Sequence, residues 1–310
     1  MMRLEGAGLE LGEWRLQRCI GHSHCSDVYL ATHRNELDGT TLSYVVKLVS
    51  EQAPVWARAM LQQEQRVLSM LTHPNVISLL GSGQEQTVDY LVLPHLEGVL
   101  PRDGHRRPVH PRQYGRLAWV TRQILSGLRA IHELGWCHGD LKPAHLSIDQ
   151  RFHVTLMDLG MTLPLYRRPT EILSAWGIVN PGHQSPHRDE MPLLGSPPYM
   201  APEAFLNEAA IEPSRDVYAL GAILYQWLTG ARPYQAKTLE GWKKAHFHSR
   251  PEHPGKWAPD LSEDMTQLVL SMLAKQPARR PTLSEIEERL VRLEVDSFGE
   301  WLADEVPRAA

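Results

Sequence analysis

Cysteine is scarce: the 310-residue chain has three, Cys19, Cys25 and Cys137. None forms a CxxC pair and the odd number leaves a thiol over, which suits a reducing compartment. No apolar run approaches the roughly 20 residues that span a bilayer. The N-terminus, Met1-Met2-Arg3-Leu4-Glu5-Gly6, has acid and glycine where a signal peptide carries its apolar core. A cytoplasmic protein with no membrane partner is therefore expected. Positive charge is not in excess either, with 32 Lys and Arg against 36 Asp and Glu. That balance excludes the electrostatic footprint of a nucleic-acid binder. Arg106-Arg107, Arg167-Arg168 and Arg279-Arg280 read as solvated loop charges. Internal repeats and low-complexity tracts are absent.

The chain does have ordinary globular proportions, 42% apolar and 22% charged. Its length allows two packed lobes with real cores, but not a string of domains. Sixteen histidines raise the question of a metal, with His22-Ser23-His24-Cys25 and His246-Phe247-His248 the tightest groups. Without a tight turn neither group is expected to present a ligand face. Unrelated surface histidines are expected.

Trp14–Leu16 and Val28–Leu30 read as strands around a polar turn centred on Gly21 and Ser23, and Thr41–Val49 as a third. Met60, Leu61, Val67, Leu68 and Leu71 predict a helix over 57–71, stopped by His73-Pro74-Asn75. Further strands are expected around Ile77–Leu80 and Tyr90–Leu93. After a Pro- and Arg-rich loop over 100–112, one apolar face from Leu117 to Ile131 predicts a long helix over 113–134. Others are predicted over 217–228, near 261–274 and over 282–294. Residues 161 to 200 form a long irregular stretch, of the kind usually functional or disordered.

Chemistry-bearing residues follow one another in a telling order. Gly21-His22-Ser23-His24-Cys25-Ser26-Asp27-Val28 lies between two strands, Val45-Val46-Lys47 ends a third, and Glu64 sits in the next helix. Downstream come His138-Gly139-Asp140-Leu141-Lys142-Pro143-Ala144-His145, Asp158-Leu159-Gly160 and Gly195-Ser196-Pro197-Pro198-Tyr199-Met200-Ala201-Pro202-Glu203. Asp216 ahead of Val217-Tyr218-Ala219-Leu220-Gly221, and Arg280-Pro281, complete the series.

This series resembles the protein-kinase superfamily from about Gly12 to about Leu293, and Gly195–Glu203 is its most specific match. The resemblance implies an α+β, two-lobed fold: a kinase domain over 12–295, with a small β-rich lobe (12–93), a hinge (94–99), a larger helical lobe (100–295) and a short tail (296–310). It implies serine/threonine phosphorylation of protein substrates using ATP and Mg²⁺. Phosphoryl transfer needs positioning and charge compensation rather than covalent help. By their matches, Lys47 holds the phosphates, Glu64 aims Lys47, Asp140 orients the substrate hydroxyl, Lys142 neutralises the γ-phosphate and Asp158 binds the metal. Gly21, Ser23 and Val28 form the flap. Val45 and Ser147 bracket adenine, and Leu93, Pro94 and Leu96 line the hinge, with the Pro94 carbonyl and Leu96 N–H as its adenine contacts. Glu203 is expected to pair with Arg280, Asp216 to hold the catalytic-loop backbone, and Ser196 to bridge Asp140 and Lys142. Leu68, Leu79, His138 and Leu159 are expected to stack between the lobes.

Four departures accompany the match. Ser23 and Ser26 replace flap glycines, which let amides approach phosphate closely. His145 replaces an asparagine at the second metal position, and imidazole favours softer ions such as Mn²⁺ over Mg²⁺. Ser147 and Val45 replace the usual residues of the adenine slot. Gly139 replaces the arginine that in many kinases reads a phosphate on the following loop, where Thr170, Ser174 and Ser185 lie. An active, slow or Mn²⁺-preferring kinase is expected; a pseudokinase serving as a nucleotide-binding or allosteric partner is the alternative. A small-molecule phosphotransferase would share His138-Gly139-Asp140 but lack Gly195–Glu203.

Overall fold

Strand alternation builds the first lobe. In β4 (Tyr44–Val49) Val46 and Leu48 point to one face and are buried, while Val45 and Lys47 point to the other. The buried face packs on Leu11, Leu16, Tyr29, Ala31 and Val92. These come from β1 (Leu9–Leu11), β2 (Trp14–His22), β3 (Asp27–His33) and β6 (Val88–Pro94). With β5 (Gly81–Glu85) they form a six-stranded antiparallel sheet in the order β1-β2-β3-β4-β6-β5. Helix α1 (Val55–Met70) covers the opposite face, through Ala57 and Leu61 against Val49 and Leu91. It has no side-chain cap at its start, so packing rather than capping holds it.

The second lobe is helical. Helix α2 (Tyr114–Glu133) buries Leu117, Val120, Ile124, Leu125, Leu128 and Ile131, the face that the sequence pattern picks out. Two two-stranded antiparallel sheets lie against it: β7 (Trp136–Cys137) with β10 (Leu163–Pro164), and β8 (Leu146–Ile148) with β9 (Val154–Leu156). Then come α3 (Pro169–Ala175), α4 (Ser214–Thr229), α5 (Leu239–His248), α6 (Glu263–Met272) and α7 (Leu283–Glu305). Helix α4 is buried almost throughout. Thr282 and Glu285 cap α7 reciprocally, Glu285 accepting from Thr282 N at 2.7 Å and Thr282 Oγ1 from Glu285 N at 3.3 Å. The fold is thus α+β, an antiparallel sheet followed by a mostly helical region.

This computed structural model describes residues 9–23, 25–35, 43–49, 53–98, 114–176, 193–206 and 209–305; at Leu9, Val55 and 296–305 only the backbone is described. His24, Val99, the loop over 100–112 with Arg106-Arg107, and Ser185 lie outside them. No helix among the described residues is long and apolar enough to cross a membrane.

Several elements differ from the sequence reading. Ile77–Leu80 is not a strand: Ile77 N bonds Leu156 O and Leu80 N bonds Val92 O, so the segment crosses between lobes instead of joining a ladder. The strand beside β6 is Gly81–Glu85. Within 161–200, β10 and α3 are regular structure. Helix α5 is additional, and α7 continues past residue 294 to Glu305.

Gly127 marks the closest approach of α2 to β9. A Cβ there would lie 2.5 Å from Leu156 Cδ1 and 2.9 Å from the Asn75 carbonyl oxygen, which is backbone and cannot step aside. Gly127→Ala is therefore expected to destabilise the chain by about 1–3 kcal/mol despite alanine's better helix propensity. Denaturant unfolding checks this; a variant as stable as wild type would mean that the two elements separate without cost.

Candidate functional site

The pleat of β4 aims Lys47 into the space between the lobes. Its Nζ donates to Glu64 Oε2 of α1 at 2.6 Å and to Asp158 Oδ1 at 2.7 Å. Glu64 Oε1 also accepts the Leu159 amide at 3.2 Å, so α1, β4 and the Asp158 turn meet at one buried point. Burial opposes the ammonium charge, but Asp158 and Glu64 together hold the lysine pKa above its ordinary value. The two acids respond differently. Burial pushes Glu64 up in spite of Lys47. Burial also opposes the Asp158 charge, yet Lys47 holds that carboxyl well below its usual range. Asp158 is 43% exposed, which fits its staying ionised.

Asp158 has φ +58°, the left-handed region that costs a non-glycine residue about 1–2 kcal/mol. Its bond to Lys47 offsets that cost. His145 Nδ1 lies 2.9 Å from the Asp140 carbonyl oxygen, an acceptor, so Nδ1 carries the proton. Its Nε2 then faces Asp158 Oδ2 at 3.1 Å. A carboxylate oxygen and a ring nitrogen thus lie side by side, a mixed donor pair able to hold a divalent metal.

The turn from Asp140 to His145 joins β7 to β8. Lys142 Nζ donates to Asp140 Oδ2 at 2.8 Å and to Ser196 Oγ at 2.9 Å. Ser196 therefore reaches Asp140 through the lysine. Asp140 Oδ1 is buried without a partner among the described residues, an acceptor site next to a cation. Below it, Asp216 at the start of α4 accepts from His138 N (2.8 Å), Gly139 N (3.1 Å) and His132 Nε2 (2.7 Å). The sequence reading missed His132; only its contact with Asp216, 84 residues away, distinguishes it. Gly139 has φ +79°, and a Cβ there would fall 2.3 Å from the Met161 carbonyl oxygen. This backbone admits no arginine at that position.

Glu203 and Arg280 form a bidentate pair at 2.6 and 2.7 Å. Arg280 also donates to Ala274 O and Ser214 O and is buried, so it is not the solvated charge expected of Arg279-Arg280. His246 is likewise no surface histidine; it is fully buried on α5. Among the stacked residues, Leu68, His138 and Leu159 are buried and Leu79 packs at the edge of the same core as Leu68 and Leu159.

The residues expected to line an adenine slot lie on β4, β6, the segment after it and β8. Val45 pairs with Leu93 across β4 and β6, and Pro94 ends β6 opposite Tyr44. Leu96 packs at the edge of the main core. Ser147 in β8 is buried under the hinge, where a Cβ on Gly98 would fall 2.0 Å from its Oγ. In the flap, Gly21 packs on Val28, and His22 Nδ1 bonds Asp27 Oδ1. Ser23 Oγ accepts from Cys25 N at 3.2 Å and Ser26 N at 3.0 Å. The serine thereby occupies two amides that a phosphate flap would otherwise present.

Over residues 14–290 the sequence matches the protein kinase domain. It is 29% identical over 288 residues to serine/threonine-protein kinase pkn3 of Myxococcus xanthus, covering 88% of this chain and 48% of that protein. It is 25% identical over 288 residues to serine/threonine-protein kinase PrkC of Bacillus subtilis (92% and 41%), and 27% identical over 267 residues to sperm motility kinase 2B of Mus musculus (86% and 49%). The chain spans about half the length of these curated relatives or less. The chain belongs to the protein kinase family, whose members use ATP and a divalent metal.

Asp216 generates a pH prediction. Burial works against its charge, but His132 and the loop amides bring its pKa from 3.8 down to about 2. A depressed carboxyl stabilises the fold fully above 3.8, and this contribution fades as pH falls through about 2. The charge is worth roughly 2 kcal/mol at neutral pH. The stability gap between wild type and Asp216→Asn should therefore be full at pH 6 and shrink by about half at pH 3. Denaturant melts at both pH values check it; a constant gap would mean that the charge is not what holds the loop.

Proposed function

We propose that the chain transfers the γ-phosphate of ATP to serine or threonine hydroxyls of protein substrates. The observation that carries this reading is Asp140 Oδ1, a buried free acceptor beside a carboxyl oxygen already held by Lys142. A substrate hydroxyl can donate there and be oriented for attack, while Lys142 places positive charge next to it. Bound ATP with its metal supplies the phosphoryl group and the electrophile. Lys47 spends two N–H groups on Glu64 and Asp158 and has a third to give to phosphate oxygen. Glu64 fixes its aim, and Asp158 with His145 supplies the donors for the metal. Val45, Leu93, Pro94, Leu96 and Ser147 make the adenine slot, with Gly21, Ser23 and Val28 above it. The three free thiols, Cys19, Cys25 and Cys137, suit a cytoplasmic setting.

One observation favours the second reading, a pseudokinase that binds partners rather than turning over substrate. The flap amides of Cys25 and Ser26 are taken by Ser23 Oγ, so phosphate must displace that bond. We read this as slowing transfer, because Lys47, Asp140, Lys142 and Asp158 are all arranged for it. Radiolabelled ATP, purified protein and a protein acceptor decide between the two: label on serine or threonine supports the kinase, and nucleotide binding without transfer supports the alternative.

Metal choice follows from His145. Nitrogen is a poor donor for Mg²⁺ and a better one for Mn²⁺, so Mn²⁺ should support binding and transfer better. His145→Asn is expected to lower the Mn²⁺-to-Mg²⁺ preference by roughly tenfold or more. Titrating Mn²⁺ by its electron paramagnetic signal, alongside rates in each metal, checks this; an unchanged profile would remove His145 from the metal.

Control should not depend on phosphorylation of the segment after Asp158. Gly139 admits no arginine, and Arg167 is paired with Glu171 on the exposed side of α3, beside Thr170. Such exposed pairs contribute about 0–1 kcal/mol, too little to order a long segment. Phosphatase treatment, or the combined Thr170→Ala, Ser174→Ala, Ser185→Ala variant, should leave transfer within about threefold of untreated wild type. A large fall in rate would mean that another cation reads a phosphate there.

A further inference from the structure

His246 is a buried imidazole that the phosphoryl-transfer chemistry does not use, the one buried residue of helix α5, near its end. Both ring nitrogens are engaged. Nε2 lies 2.9 Å from the Pro197 carbonyl oxygen, and Nδ1 lies 2.8 Å from the Tyr218 hydroxyl. A carbonyl only accepts, so Nε2 carries the proton and Nδ1 accepts from Tyr218. Behind Tyr218, its hydroxyl meets that of Tyr234, and Lys275 Nζ donates to Tyr234 Oη at 2.8 Å and to the His246 carbonyl at 2.6 Å. Four aromatic rings surround the imidazole: Phe205, Tyr218, Tyr234 and Trp242 lie 5.0–5.9 Å away between centroids. The ring therefore has one orientation, fixed from every side.

The place where this relay ends gives it a role. Pro197 follows Ser196, whose hydroxyl accepts from Lys142, which in turn holds Asp140. Proline offers no N–H, so the carbonyl is the one backbone group by which Pro197 can be held. On the far side, Tyr199 N closes a turn onto Ser196 O at 3.0 Å, and Tyr199 Oη donates to Gln226 at 2.8 Å. A peptide whose hydroxyl reaches Asp140 Oδ1 must lie along this segment. We infer that His246 is a positioning residue for the protein substrate: through the Pro197 carbonyl it sets the wall formed by residues 196–199 and so the seating of the acceptor chain, without touching the nucleotide. This inference rests on the kinase reading of the site but is tested separately from it.

A neutral imidazole is required, since a proton on Nδ1 would displace the Tyr218 hydrogen. Burial in this aromatic cage lowers the His246 pKa to about 4, so the relay is intact at neutral pH.

The test compares wild type with His246→Phe, which keeps an aromatic ring and removes both bonds, and with His246→Gln, which keeps a donor for Pro197. Amide hydrogen exchange of the intact chain at Ser196 and Tyr199–Ala201 is the readout that needs no activity. Exchange there should quicken about tenfold in His246→Phe, the effect of one lost buried bond, with the amides around Lys47 and Glu64 unchanged. His246→Gln should return to within about threefold of wild type. With dephosphorylated casein as acceptor, KM for casein should rise about tenfold in His246→Phe while KM for ATP stays constant. If wild type transfers no phosphate, the kinase reading falls and the exchange result alone decides the positioning role. Wild-type exchange in a folded His246→Phe, or exchange raised equally over the whole helical lobe, would overturn it. Should His246→Phe not fold, Tyr218→Phe removes a single oxygen and must still quicken exchange over the same residues; no change there would overturn the inference as well.

Discussion

A buried ammonium group organises this molecule. Lys47 comes from the central sheet, Glu64 from the helix that covers that sheet, and Asp158 from the turn that opens the irregular segment of the second lobe. Lys47 and Glu64 are expensive to bury alone, and removing one partner leaves an uncompensated charge. Together they tie β4, α1 and the Asp158 turn into one arrangement. Helix α1 has no cap bond at its start, and Asp158 sits in a left-handed backbone conformation. Both features depend on contacts made elsewhere, and the ion cluster is the contact they share.

The second lobe repeats the device with charges of both signs. Asp216 is a buried carboxylate that gathers the amides of His138 and Gly139 and the His132 ring, and Arg280 is a buried guanidinium that gathers Glu203 and three carbonyls. Both anchor irregular backbone to the ends of buried helices. Irregular backbone carries the functional side chains, so it must be held by polar groups that regular structure does not supply. His246 extends the pattern to Pro197, whose missing N–H leaves a single backbone handle.

The residues that meet at the candidate site stood out in the sequence through their order and the family resemblance it carries: lysine after a β-rich run, Asp140 two positions before Lys142, Asp158 at a Leu-Gly turn. Strands β2, β3, β4 and β6 were legible as β-rich runs and the long helices from their apolar faces, whereas β1 and β5 were not. What escaped shares one cause, dependence on distant partners. Gly81–Glu85 has no β-branched residue and is a strand only because β6 offers it a ladder. Ile77–Leu80 has the right residues and no continuous partner. Helix α3 has seven residues, too few for a periodic signal. His132 and His246 look like ordinary histidines until α4 brings Asp216 to one and Tyr218 to the other. Ser23 was legible as a lost glycine, but its capture of the flap amides follows only from the turn geometry.

The claim on which all else rests is that Lys47 serves phosphate as well as structure. The direct measurement is single-turnover transfer of label from ATP by wild type and Lys47→Met, each with its unfolding curve recorded. The account predicts a loss of at least roughly a hundredfold in the transfer rate, the scale of removing one preorganised charge, in a protein that still unfolds cooperatively. Transfer at the wild-type rate by folded Lys47→Met would contradict it, and would leave the Lys47 cluster as a structural tie alone.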